Sequence, residues 1–148
     1  MRQLSLLLLA STLFSFCQPE PAELQKRWKA HSVQVKKGAS SQFAELIKKE
    51  AYMDLSVPFN FQARLPESDG MFSHFDRLTN VSGMASIERN ETIDKLEINI
   101  EYEKPEKLQG SSERFAVHNA SAESITIYFG MNDESGDGGY RVTFHPAD

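Results

Sequence analysis

The sequence predicts a mainly β protein, an antiparallel β-barrel with one helix in its N-terminal half; a β-sandwich or a small α+β fold are the competing arrangements. Three observations carry this. Residues 94–103 alternate strictly, Leu96, Ile98, Ile100 and Tyr102 against Glu97, Asn99, Glu101 and Glu103, as a strand does with one face in a core and one in water. Roughly seven or eight short strand-like segments follow one another with turn residues between them, the rhythm of a closed or sandwiched antiparallel sheet. The crossover helices that a parallel sheet requires are missing.

The first sixteen residues read as an export signal. Arg2 supplies a positive start, and residues 4–16 are apolar apart from small hydroxyl residues. Such a run is too short for a bilayer core of about 30 Å, which takes roughly 20 helical residues, and it suits a signal peptide. Residues 17–22, with Pro19 and Pro21, read as a short tether, and residues 23–148 as one β-rich domain. Cys17 is the only cysteine and ends the apolar run. Its position resembles that of the lipidated cysteine of bacterial lipoproteins, although Phe16 stands where those signals usually place a small residue. The expectation is a membrane-anchored lipoprotein of the bacterial cell envelope, with a soluble periplasmic or secreted protein as the alternative.

An exported domain without internal cysteines forms no internal disulfide, which points to a bacterial envelope rather than an animal secretory pathway. The triplets starting at Asn80, Asn90 and Asn119 match glycosylation acceptors, but Asn and Ser in such runs serve turns first. The chain carries 16 Lys/Arg against 21 Asp/Glu, a net charge of −5. An acidic body excludes nucleic acid as an expected partner, because phosphate neutralisation needs a concentrated basic surface.

Along the domain, Leu24 and Trp28 are four apart and would share a face if residues 22–29 were helical. Residues 31–36 alternate as a strand with Val33 and Val35 inward. Residues 41–55 form the best helix: Ser40 or Ser41 caps it, and Phe43, Leu46, Ile47 and Ala51 recur on one face, with an indistinct end around Tyr52. Phe59, Phe61, Ala63 and Leu65 then alternate as a strand after Pro58. Residues 80–83 read as a turn, residues 84–88 as a strand, and residues 105–112 as a polar loop. Segments 114–118, 124–129 and 140–144 complete the strands.

This order of features resembles the lipocalin-like domains of exported bacterial lipoproteins. The opening is carried by Leu24-Gln25-Lys26-Arg27-Trp28-Lys29 and the following Ser32-Val33-Gln34-Val35, and the closing hairpins by residues 112–144. Lys26 occupies the position where that family has Gly. The resemblance implies a barrel whose interior holds a small apolar ligand, with no catalytic residues shared across the family. On that reading Trp28, Phe59, Phe61, Leu96, Ile98, Ile100, Phe115, Val117, Ile125 and Ile127 are the candidate inward, ligand-binding set. An eight-stranded barrel is just wide enough to be packed solid or to hold one small ligand.

Other chemistry is thinly represented. His31, His74, His118 and His145 lack the close spacing of metal ligands, and no metal or cofactor is expected. The loop 131–139 is acidic and Gly-rich, but a calcium loop aligned on Asp133 puts Phe144 where a closing Glu belongs. No nucleophile elbow, phosphate loop or dinucleotide fingerprint occurs, so the expectation is a non-enzymatic protein. Two functions remain. One is a binding module for a small hydrophobic molecule; the other is an interaction module with a solid core, presenting an aromatic patch (Phe72, Phe75, Tyr128 and Tyr140) to an envelope protein.

Overall fold

The computed structural model describes residues 18–67, 77–130 and 139–148. Eight strands form one antiparallel sheet: β1 (Arg27–Val35), β2 (Tyr52–Asp54), β3 (Phe61–Glu67), β4 (Arg77–Asn90), β5 (Lys95–Lys104), β6 (Ser112–Ala116), β7 (Ile125–Phe129) and β8 (Tyr140–Pro146). The order is β6-β5-β4-β3-β2-β1-β8-β7. Every strand thus lies beside its sequence neighbours, and β1 closes on β8. The remaining seam, β6 to β7, is bridged just beyond β6, where His118 and Thr126 exchange both backbone hydrogen bonds at 2.8 and 2.9 Å. The result is a nearly closed up-and-down barrel, the architecture that the sequence predicts.

The barrel has two different ends. The chain enters β1 at the lower end, where a 3₁₀ turn (Pro21–Leu24) buries Leu24 and the β4–β5 turn lies close by. At the upper end β1 leads into helix α1 (Ser41–Glu50). Ser40 caps it by accepting the Phe43 N–H at 3.2 Å, as the sequence suggests. The helix stops at Glu50 because Ala51 is already extended, and the Ala51 carbonyl accepts the Ala30 N–H of β1. Only three residues of β2 pair with β1 and β3. Above them α1 stands in the wall, packed chiefly on β1. Arg64 of β3 ties down its last residue, with Nη2 and Nε at 3.0 and 3.1 Å from Glu50 Oε2.

Register and burial separate the two faces of the sheet. Trp28 sits opposite Met53, Met53 opposite Ala63, Ile87 opposite Ile98, and Ile125 opposite Phe144. Residues facing each other across an antiparallel pair share a face, and these fill the interior. The alternation predicted for β5 is the one observed, with Leu96, Ile98, Ile100 and Tyr102 buried.

Several local expectations are corrected. Residues 22–29 are not a helix: Trp28 lies in β1, after the 3₁₀ turn. His31 is an extra residue in β1, since Ala30 faces Phe144 and Ser32 faces Thr143. That bulge keeps Val33 and Val35 on the inward side, opposite Val142 and Tyr140, yet Val35 lies at the rim and is 36% exposed. Residues 80–83 are strand, not turn. β4 runs unbroken to Asn90, and Gly83 absorbs a second bulge against β5, where an added Cβ would lie 2.0 Å from the Glu101 carbonyl oxygen. The acidic loop 131–138 and the segment holding Phe72, His74 and Phe75 lie outside the described residues.

Candidate functional site

Of the ten candidate interior residues, the barrel brings nine together. Trp28, Phe61, Leu96, Ile98, Ile100, Val117, Ile125 and Ile127 belong to one buried cluster, and Phe115 packs against it half-buried. Phe59 is the exception, at 83% exposed. Pro58 begins a 3₁₀ turn (Pro58–Asn60), and the strand starts only at Phe61. The helical twist of that turn rotates Phe59 off the face that the alternation assigns to it. Cys17 lies outside the described residues.

The lower part of the interior is lined by buried side chains of one hydrophobic cluster. The indole N–H of Trp28 donates to the Leu24 carbonyl at 2.9 Å, and Phe61, Met53, Leu55 and Phe144 are fully or almost fully buried around the same core. These candidates are packing partners of one another in this structure.

The upper end differs. Tyr140, predicted as an exposed aromatic, is only 2% exposed. Its hydroxyl accepts the Ser40 N–H at 2.8 Å and its ring meets Phe43 edge-on at 5.3 Å, so it fastens the start of α1 to β8. Tyr128 is half-buried on the outer face, between His118, Lys36 and Arg141. An open cleft of about 860 Å³ follows α1, and its described walls are Ser40, Gln42, Phe43, Glu45, Leu46, Lys48 and Lys49. At the same end, Leu65, Val81, Tyr102, Leu108 and Glu113 surround a hollow of about 50 Å³. There the buried Tyr102 hydroxyl donates to Glu113 Oε2 at 2.5 Å. Burial, and then the Glu113 carboxylate as acceptor and charge, push the Tyr102 phenol well above the usual tyrosine range. A phenol so held stays protonated and keeps donating.

Sequence reasoning places Tyr102 inward but misses Glu113 and the α1 cleft. The alternation of β5 carries Tyr102. Glu113 meets it only because β5 and β6 pair Ile100 with Glu113, which no local pattern announces. The helix is visible in the sequence, whereas its place in the wall depends on β2 being short.

Two histidines that are far apart in sequence also meet. The bulge sets His31 on the outer face, where its ring stacks on His145 at 3.8 Å. Among the described residues no group of three His, Cys, Asp or Glu side chains is arranged to hold a metal ion. Asn90 ends β4 and serves the turn after it, its Oδ1 accepting the Thr92 N–H at 3.0 Å, and Asn119, in the β6–β7 connection, has φ of 47°. Asn80 lies instead within β4.

No model of a known protein family matches this sequence, and no curated protein does. Among solved structures, the chain is similar to a lipocalin-like protein from Bacteroides uniformis ATCC 8492, with 15% identity and a TM-score of 0.45, over 84% of this chain and 99% of that one.

Proposed function

We propose that this chain is an exported, lipid-anchored, non-enzymatic module that takes up a small hydrophobic molecule at the upper end of its barrel, beside α1. The observation that carries the reading is the cleft along α1, with Phe43 and Leu46 in its walls. Its size falls within the roughly 300–1,000 Å³ of small-molecule sites, which are mostly apolar with a few placed polar groups. The buried cluster in the lower interior argues for a ligand held against α1 rather than deep in the barrel. Export and anchoring rest on the apolar run 4–16 and on Cys17.

A second reading is favoured by that same packing: a solid-cored barrel that presents its surface to an envelope protein. Native mass spectrometry of protein made through its own export route separates the two. The binding reading expects a noncovalent mass that disappears on denaturation. A bare chain, with no apolar probe taken up on titration, would transfer the assignment to the interaction module. The denatured mass also reports whether Cys17 is retained and acylated.

A further inference from the structure

We infer that the lower end of the barrel is a membrane-docking surface, resting on a lipid bilayer through Phe59, Val57 and Ile93 and leaving the upper end turned toward the aqueous compartment. The inference rests on the anchored reading above and adds an orientation to it.

The first described residue is fastened to the lower end. Gln18 Nε2 donates to the Asp94 carbonyl at 2.6 Å, and Arg89 Nη1 donates to Gln18 Oε1 at 2.8 Å. Pro19 is buried and the 3₁₀ turn after it packs on β4. Cys17 is the next residue upstream, and neighbouring Cα atoms are about 3.8 Å apart. A lipid on Cys17 would therefore join the chain one residue from the Gln18 contacts beside the β4–β5 turn.

The same end carries a concentration of exposed apolar side chains. Among the described residues five large hydrophobics are exposed, and three of them sit on lower-end connections. Ile93, 46% exposed, is in the β4–β5 turn next to Asp94. Val57 and Phe59, 52% and 83% exposed, are in the β2–β3 connection. Phe59 shares a shallow groove with Leu55, Pro58 and Ile87 of β4. Two residues further along β4 stands Arg89, which holds Gln18, so Phe59 lies within roughly two strand residues, about 7 Å along β4, of that clamp. Isolated exposed hydrophobics need no explanation; these gather around the one point from which an anchor departs.

Charge does not drive the contact. Glu20, Glu23, Asp54, Glu88, Glu91 and Asp94 outnumber Lys26, Arg27, Arg89 and Lys95 at this end, so no basic field is available to select anionic lipid. The surface works by apolar contact, and zwitterionic lipid suffices. The start of α1 lies at the upper end, away from this surface, while its last turn stands about one three-residue strand, roughly 10 Å, above the β2–β3 connection.

The test uses the full chain, purified from bacterial membranes and reconstituted into phosphatidylcholine vesicles that contain dibrominated phosphatidylcholine. Phe59→Trp and Gln109→Trp are compared, Gln109 lying exposed in the β5–β6 connection at the upper end. The buried native Trp28 supplies a common background. The expected result is an added Phe59→Trp emission quenched at least twofold by brominated lipid and unchanged in 0.5 M salt, with Gln109→Trp unquenched. Vesicles that float with the protein while Phe59→Trp stays unquenched, or is quenched no more than Gln109→Trp, would overturn the docking surface alone. Protein that fails to float with vesicles would overturn the anchored reading and the surface with it.

Discussion

Trp28 and Leu24 are joined by an indole N–H to carbonyl hydrogen bond of 2.9 Å, and neither side chain reaches solvent. The bond closes the 3₁₀ turn onto the first strand. Lys26, between them, lies over the Trp28 ring at 5.5 Å and donates to the Ala122 carbonyl at 3.0 Å, so the entry segment is also tied to the β6–β7 connection. Trp28→Phe removes the indole donor while the Leu24 carbonyl keeps the Lys26 N–H at 2.8 Å, so the lost bond costs about 1 kcal/mol. Trp28→Ala adds a cavity and costs about 3–5 kcal/mol. Urea unfolding followed by circular dichroism checks both, with the slope unchanged and the midpoint lowered.

At Gly83 the backbone of β4 lies tight against β5. A methyl group there would sit 2.0 Å from the Glu101 carbonyl oxygen, a backbone atom that cannot swing aside. Gly83→Ala is expected to destabilise the barrel by about 1–3 kcal/mol through forced backbone shifts. A midpoint equal to that of the wild type would show that the bulge relaxes without strain.

What the sequence discloses divides along the range of the forces involved. The β5 alternation is legible because each residue answers to its own face of the sheet. The start of α1 is legible because Ser40 and Phe43 are three apart. Phe59 is not, because a period of two continues through Phe59 and Phe61 while the backbone twists at Pro58. The β4 segment at Asn80 to Gly83 looks like a turn, since Asn, Ser and Gly favour turns; its pairing with β3 and β5 overrides that preference. The candidate site depends on longer-range facts still. Phe43 meets Tyr140 across 97 residues, and Tyr102 finds Glu113 only through strand register.

The Tyr102 phenol gives a pH signature. Its folded pKa is raised above the unfolded value of about 10. Below pH 10 both states hold the proton and the contribution is constant. Above pH 10 the unfolded chain releases the proton while the folded chain retains it, so stability falls by about 1.4 kcal/mol per pH unit from this group. The loss continues until the raised folded value is reached. Tyr102→Phe should flatten the stability profile between pH 10 and 11 relative to wild type. Parallel profiles would assign no linkage to this hydroxyl.

Leu46 offers a handle on the cleft that leaves the β-core intact, since it is half-buried on α1 and lines that cleft. Burying a leucine side chain fully is worth about 1.5–3 kcal/mol, and about 1.4 kcal/mol is tenfold in affinity. Leu46→Gln is therefore expected to weaken binding of an anilinonaphthalene sulfonate probe several-fold to tenfold, read by fluorescence titration. The unfolding midpoint, measured alongside, separates lost contact from lost fold. Unaltered probe affinity would move the binding site away from α1.

The barrel seam is held by a pair whose roles can be separated. Thr126 directs both backbone groups at His118, with its N–H donating to the His118 carbonyl at 2.9 Å and its carbonyl accepting the His118 N–H at 2.8 Å. Toward β8 it faces Thr143, and their hydroxyl oxygens lie 3.1 Å apart. Thr126→Pro removes one seam bond and fixes φ near −65°, leaving the His118 carbonyl without its donor. A cost of about 1–3 kcal/mol is expected. Thr126→Val keeps the seam bonds and loses only the hydroxyl contact, so its cost should be about 1 kcal/mol. Hydrogen exchange reads the difference directly. The His118 amide should lose protection in Thr126→Pro and keep it in Thr126→Val. Equal protection in the two variants would mean that the barrel stays closed by side-chain packing across β6 and β7, without help from this bridge.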